Sequence, residues 1–283
     1  MSKSPALESE PRSNAKQKLP AMTNSKRTSF LVGSRVAKKK HRKAMTQSRF
    51  SVGSGDGEVS CPECNMVYMK YVPTDQQMHA AFHKKAVQGV EWKSKTSKIV
   101  AEFVSMTESK SKTNVVAYER HKFQIVEVSS ASKTEIRATE QLLDLANTEL
   151  NAPEGSTGWK IPGQGHSDKA FVCLAEGKAV GVVSVESVEQ GRWLVHETKS
   201  VVPNQGLKVL VGISRIYVCR SWRQLGIGLR LLQCLQKNCI YGCEIPKMEI
   251  AWSQPSEFGG RLALRFNAVK HRSGYTLIPA YEE

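Results

Sequence analysis

No part of this chain approaches the run of about 18 apolar residues that a membrane-spanning helix needs, and no apolar leader opens it. The sequence therefore reads as a soluble, non-secreted protein. A disulfide framework is also missing. The chain has 7 cysteines, an odd number, and Cys173, Cys219, Cys234, Cys239 and Cys243 lie scattered among apolar neighbours, which implies a reducing compartment. No internal repeat is visible. Acidic side chains are scarce, 26 against 41 Lys and Arg, for a net charge of +15. The scarcity is uneven: residues 1–60 hold 13 basic and 4 acidic side chains, +9 of that total. The excess of positive charge therefore belongs to the N-terminal segment, which points to a polyanion or an import receptor as its partner.

With 283 residues there is room for one sizeable domain or two smaller ones. Residues 1–57 are rich in Ser, Lys, Arg and Asn and poor in apolar residues, so they are expected to be a disordered basic tail. Within them "KKKHRK", Lys38 to Lys43, has the form of a nuclear import signal, and the tail has the charge for non-specific contact with DNA. Residues 58–90 hold a Cys/His segment. Residues 91–122 are Lys- and Ser-rich and read as a linker with some extended pieces. From 123 to 283 strand and helix patterns mix. "FQIVEV" alternates as a strand, and residues 134–150 repeat apolar positions at helical spacing. Two β-rich runs flank Glu176-Gly177-Lys178 as a hairpin. "RWLVHETKSVV" and "GISRIYVC" follow as strands, then a helix near 226–240. "KMEIAW" as a strand, a short helix in "SEFGGRLALRFN" and "GYTLIP" as a strand close the chain. This order implies a mixed β-sheet flanked by helices, an α/β class.

In the Cys/His segment the spacing is Cys61-x2-Cys64-x14-His79-x3-His83. Zinc takes four tetrahedral S and N ligands at such spacings, and histidines four apart share one helix face. Thr74 and Gln77 have the spacing of a capping box after Pro73. Met66, Tyr68, Met78 and Phe82 are available as a small core. Four protein ligands leave no open position, so the site is structural. Base reading is a separate matter. The helix positions that read bases would be Thr74, Gln77 and Ala80, with no Arg or Lys, and the basic pair Lys84–Lys85 lies beyond the last ligand. One finger of this kind does not make a sequence-specific DNA reader.

"RQLGIG", Arg223 to Gly228, joins an apolar strand to an apolar helix. A dinucleotide fingerprint would need a third glycine where Leu231 stands, and the Gly-Lys-Ser/Thr of a P-loop is absent. The loop does satisfy Arg/Gln-x-x-Gly-x-Gly/Ala. It resembles the acyl-coenzyme A pyrophosphate loop of GCN5-related N-acetyltransferases. Backbone N–H groups at a helix N-terminus make an anion site, glycines let phosphate approach, and Arg223 adds charge.

Taken in order, "CPECNMVY", "GISRIYV", "RQLGIG", "YG" and "AWSQPSE" resemble the Eco1/ESCO cohesion-establishment acetyltransferases over about residues 58–283. The resemblance implies a ββα zinc finger followed by a GCN5-like domain. It further implies a nuclear enzyme that uses acetyl-CoA to acetylate lysines on the ATPase head of a cohesin subunit in S phase. Carried over, the donor contacts are Ile216, Tyr217 and Val218 on the strand, Arg223 with Gln224, Leu225, Gly226, Ile227, Gly228 and Leu229 in the loop and helix, and Ser256, Glu257 and Phe258 beyond. No Gln-x-x-apolar-x-x-aromatic-aromatic motif stands in the tail, which speaks against direct recruitment by a polymerase clamp.

Acetyl transfer must deprotonate a lysine, a cost of about 4.6 kcal/mol at neutral pH for an amine of pKa about 10.4. In this chain Gln233 stands where the family carries Glu or Asp, and Gln254 stands where some members carry Asp. Glu249, in "KMEIAW", and Glu257 are the nearest carboxylates by motif, and Ser214 lies beside the expected thioester. Cys219, after the strand, offers an acyl-cysteine route but has no evident His partner. Two other readings remain at this point: a zinc-finger chromatin-binding protein whose acetyltransferase fold has lost activity, which Gln233 favours, and an acetyltransferase acting on histones.

Overall fold

A computed structural model describes residues 57–110, 116–150, 152, 159 and 168–282. The expected basic tail and its Lys38–Lys43 run lie outside the described residues. The chain begins with β1 (Glu58–Ser60) and β2 (Val67–Met69), an antiparallel pair, followed by α1 (Pro73–Gln88). This is the ββα unit expected of a finger. Its helix starts differently from expectation. Val72 is the N-cap and makes no side-chain cap bond, while Pro73 takes the first helical turn, so Thr74 and Gln77 form no capping box. Proline's fixed φ and missing N–H suit that first turn, and it displaces the boundary by two residues. Met66, Tyr68 and Phe82 pack inward as expected, but Met78 is 56% exposed.

The rest forms one large mixed sheet. After β3 (Val90–Glu91) come β4 (Lys98–Lys110) and β5 (Val116–Glu127), then α2 (Lys133–Leu150), β6 (Lys169–Ala175), β7 (Lys178–Ser187), β8 (Gln190–Val195), β9 (Val201–Lys208) and β10 (Val211–Val218). A 3-10 turn at Arg220–Trp222 leads to α3 (Ile227–Asn238), a second 3-10 turn at Lys247–Glu249, β11 (Ile250–Trp252), α4 (Glu257–Phe266), β12 (Val269–Lys270) and β13 (Thr276–Ala280). The strand order is β4-β5-β6-β7-β10-β11-β13-β8-β9. The pairs β10–β11 and β11–β13 are parallel and the others along this path are antiparallel.

Two expectations change here. Residues 91–122 are not a linker: β4 and β5 make a long hairpin within the sheet. Its strand pattern was masked because Ser105 and Thr107 take half-buried positions beside Ala101 and Phe103, while apolar Val104 and Met106 face outward. The Phe103 ring stacks on Phe123 of β5 at 4.9 Å and joins the hairpin to the core. "RWLVHETKSVV" is two strands rather than one, β8 and β9 turning at residues 196–200.

β6 and β7 are covered on both faces, so they read as near-continuous apolar runs instead of alternating ones. On one face Leu231, Leu232 and Leu235 of α3 are fully buried with Trp252 and Phe266. Each such side chain contributes about 1.5–3 kcal/mol relative to exposure. On the other face Leu142 and Leu143 of α2 pack with Val172, Val182 and Tyr217. The finger belongs to this second face. Ser221 Oγ donates to the Val87 carbonyl, Trp222 Nε1 to the Gln88 carbonyl at 3.2 Å, and β3 pairs with β7.

Candidate active site

β10 begins as expected and then departs from its alternation. A bulge between Ile213 and Arg215 puts an extra residue, Ser214, into the strand. Ile213 therefore packs with α3 and α4, Ile216 and Val218 stay on that side, and Arg215 and Tyr217 turn to the α2 side. The parallel pairing of β10 with β11 stops at Ile213↔Trp252, so β10 runs on with an open edge over residues 214–218. Ser253 pins the point of divergence: its N–H donates to the Ile213 carbonyl at 3.1 Å and its Oγ to the Ser214 carbonyl at 3.1 Å.

The loop after β10 enters α3 through two left-handed residues, Gln224 at φ 66° and Gly226 at φ 80°. Gly226 is the N-cap and contributes no side chain. No acidic residue lies in the first turn of α3. The first intrahelical bond runs from Arg230 N–H to the Gly226 carbonyl, so the amides of Ile227, Gly228 and Leu229 have no partner within the helix. The positive end of α3 thus presents free donors to an anion. A Cβ at Gly226 would meet nothing within 4 Å, so the surface over these donors is open.

These elements line a cavity of about 650 Å³. Of the residues expected to hold the donor, all except Leu225 line it; Leu225 packs into the core beneath. Ser256 caps α4 by accepting from the Gly259 N–H at 3.2 Å, which places Glu257 and Phe258 on the wall. Arg223 donates through Nε to the Val218 carbonyl at 2.9 Å and lies 5.6 Å from the Tyr217 ring centre. Its NH2 meets both oxygens of Glu149, at 3.0 and 2.9 Å, and Arg220 meets the same carboxylate at 3.1 Å. Glu149, Arg220 and Asn65 also line the cavity and were not foreseen. Arg220 had a visible signal, a second cation in "RSWRQ". Glu149 and Asn65 arrive from distant segments and had none.

Of the expected catalytic residues, Ser214 and Gln254 flank the divergence of β10 from β11, joined through Ser253. Ser214 is half-buried at the bulge, beside the cavity strand. Gln233 is exposed on α3 and Gln254 is exposed just after Ser253. Glu249 lies in the 3-10 turn before β11 and not in the strand, at the level of Leu210, whose N–H donates to its carbonyl. That is the end of the parallel pair remote from the divergence. On the α2 face the structure gathers a polar strip: Ser184 and Glu186 on β7, with Gly212 and Arg215 opposite them in register. Tyr281 donates to Glu186 Oε1 at 2.6 Å, and its ring lies where a Cβ of Gly212 would be, 2.6 Å away, so only glycine fits there. Arg215 donates through Nε to Asn147 of α2 at 3.0 Å and through NH1 to the Ser214 carbonyl at 2.8 Å. Cys219 is fully buried, and burial pushes its thiol up to about 12, which removes the thiolate an acyl-cysteine route requires.

The four finger ligands do meet: the donor atoms of Cys61, Cys64, His79 and His83 lie within 4.8 Å of one another. The Cys64 amide, followed by the Glu63 amide, pulls the Cys61 thiol down to about 6. His79 stacks on Tyr68 at 4.0 Å, and its Nε2 is buried with no hydrogen-bond partner among the described residues, as suits a metal-ligating nitrogen. His83 Nδ1 faces Cys61 Sγ at 3.4 Å, while its Nε2 meets Glu63 at 3.2 Å, the carboxylate that would orient it. The residues fit a tetrahedral zinc ion.

Comparison with known proteins points the same way. Residues 207–275 match the family model described as ESCO1/2 acetyl-transferase, and residues 47–85 match that of the zinc-finger of acetyl-transferase ESCO. The chain is 37% identical to N-acetyltransferase ECO1 of Kluyveromyces lactis, over 79% of this chain and 90% of that protein. To N-acetyltransferase ECO1 of Saccharomyces cerevisiae it is 31% identical, over 87% of this chain and 99% of the other. Among solved structures, the xEco2 acetyltransferase domain bound to a K105-CoA conjugate superposes with TM-score 0.52 at 20% identity, covering 67% of this chain and 99% of that one. That likeness supports the fold.

Proposed function

This chain belongs to the ECO1/ESCO family of N-acetyltransferases, and from that premise we propose that it acetylates lysines on the ATPase head of a cohesin subunit in the nucleus, during S phase. The observation that carries the reading is the cavity itself. It joins the N-terminus of α3, which no side chain caps, three arginines and the open edge of β10 in one concave site. An acetyl-CoA co-substrate suits all three: diphosphate on the α3 amides, pantetheine along Ile216–Val218 as an added strand, and the thioester at the Ser214 bulge. Cys61, Cys64, His79 and His83 hold a structural zinc ion, which folds the finger and takes no part in the chemistry.

The acceptor approaches from the other face of the sheet, where the polar strip lies. Gln233 and Gln254 carry no carboxylate and point to solvent, and Glu249 lies at the wrong end of β11. Glu186 takes the part of the base. It pairs in register with Gly212, two residues before the bulge, and is held by the Tyr281 hydroxyl. The ammonium gives one proton to this carboxylate, directly or through water. The amine then attacks the thioester carbonyl, its N–C bond forms, and the C–S bond breaks. The leaving thiolate keeps that electron pair and takes the amine's second proton. The tail, with its positive charge, adds sequence-independent affinity for chromatin.

Incubation of the zinc-loaded chain with labelled acetyl-CoA, a cohesin ATPase-head fragment and core histones tests the assignment. Label on the head fragment, blocked by lysine-to-arginine changes there, is expected. Label on histones alone would replace the substrate. Failure to bind coenzyme A would leave a chromatin-binding protein built on the same fold.

A further inference from the structure

The cavity has a wall that the acetyltransferase domain does not supply. Asn65, the residue after the metal ligand Cys64, lines it together with Arg220 and Arg223. Asn65 has a left-handed backbone, φ 59°, and its N–H donates to the Cys61 carbonyl at 2.8 Å. The Cys61 N–H in turn donates to the Met66 carbonyl at 3.0 Å. The loop that carries both thiols therefore also fixes where Asn65 sits. In the amide orientation that satisfies its neighbours, the Asn65 side-chain oxygen accepts from both terminal nitrogens of Arg220, at 3.2 and 3.3 Å. Arg220 is also tied to Glu149, which it shares with Arg223.

The choice of residue type matters. Arg220 and Arg223 share the single carboxylate of Glu149, so these three groups together keep one net positive charge. Glu149 holds Arg220 and partly neutralises it, whereas Asn65 holds it without removing charge. The Arg220 Nε is buried and has no partner among the described residues, so the terminal nitrogens, held by Asn65 and Glu149, carry all of the compensation for its burial. Helix α1 adds a mechanical tie. Cys219, Ser221 and Trp222, on and beside the turn that carries Arg220, donate to the Lys85, Val87 and Gln88 carbonyls at the end of α1. That turn leads directly into the Arg223–Gly228 loop.

We propose that the finger is a working part of the donor site: Asn65 holds Arg220 toward an anionic group of coenzyme A, so zinc binding and donor binding are thermodynamically linked. The proposal rests on the reading of the cavity as the coenzyme A site. Linkage is reciprocal, so whatever factor zinc adds to coenzyme A affinity, coenzyme A must add to zinc affinity.

The test is calorimetric titration of coenzyme A into the full chain, zinc-loaded and zinc-stripped, for the unchanged protein and for Asn65→Ala. Zinc removal is expected to weaken coenzyme A binding by roughly 10-fold, and zinc-loaded Asn65→Ala by roughly 5-fold. The zinc effect is expected to shrink in the variant. In a chelator competition, saturating coenzyme A is expected to tighten zinc by the same factor that zinc tightens coenzyme A. Because Asn65→Ala is read with zinc bound, unfolding of the stripped finger does not confuse it, and Asn65→Gly, which suits the left-handed backbone there, must show the same loss if the side chain is responsible. Unaltered affinity in zinc-loaded Asn65→Ala, with coenzyme A still bound by the unchanged chain, overturns this proposal alone. No binding by the unchanged, zinc-loaded chain overturns the donor reading, and this proposal with it.

Discussion

The two faces of the sheet at the end of β10 differ in how they are made. The α3 face is built from backbone: a bulge, an open strand edge, two left-handed turn residues and a helix start without a capping side chain. The α2 face is built from side chains drawn from four separate segments, Asn147, Ser184 and Glu186, Arg215, and Tyr281. The first face suits a ligand that is always the same, because backbone donors are fixed by the fold. The second is where substitution can change the reaction without disturbing the fold. Gln233 and Gln254 belong to neither set, since both point to solvent and neither lines the cavity.

The sharpest way to break the comparison is to put charge on the backbone face. Asp is one of the few residues that enter a left-handed conformation, at some cost, so Gly226→Asp is expected to fold with a melting temperature lowered by a few degrees. Its carboxylate would lie over the α3 amides. Coenzyme A affinity is expected to drop by roughly 100-fold, about 2.7 kcal/mol, by calorimetry. A smaller but more selective effect is expected from Glu186→Gln. Turnover should fall by roughly 30-fold while the KM for acetyl-CoA stays within about twofold, because the change is confined to the acceptor face. An acceptor whose amine has a lower pKa should recover part of that loss. An equal loss of donor affinity would show that the two faces are not separable.

Two changes are expected to do little. Gln233→Glu places a carboxylate on α3, yet the side chain is exposed there, so turnover should move by less than about twofold. A large gain in steady-state rate would return the base to α3 and remove Glu186 from that part. Cys219→Ala should leave turnover within about twofold. With its thiol raised to about 12 by burial, Cys219 stays protonated at neutral pH and well above it, so alkylating reagents at pH 7 to 9 should spare it in the folded protein. Covalent acetyl label on Cys219 by mass spectrometry would contradict this.

Legibility in the sequence follows the same division. The metal ligands and the glycine loop each sit within a short window, so their spacing implied their local geometry, whereas the donor contacts at 216–218 and 256–258 were legible only through the family resemblance. The α3 and α4 helices were visible because their apolar periods match their burial, and the β6–β7 hairpin because two apolar runs flank the Glu176-Gly177-Lys178 turn. β4 and the first half of β5 were hidden because Ser105 and Thr107 take half-buried positions where a strand pattern calls for apolar residues. The bulge at Ser214 was hidden because Ile213, Arg215 and Tyr217 alternate in sequence whether or not the strand slips. Glu186 and Tyr281 stand 95 positions apart, and no local pattern joins them. The same is true of Asn65 and Arg220 across the finger boundary.

Amide hydrogen exchange with and without coenzyme A, on the zinc-loaded chain, addresses the donor face most directly. New protection should concentrate at the amides of residues 226–229 and along 216–218, and leave the strands around Glu186 unchanged. Exchange that slows on the α2 face instead, or nowhere, would contradict the placement of the donor on the start of α3.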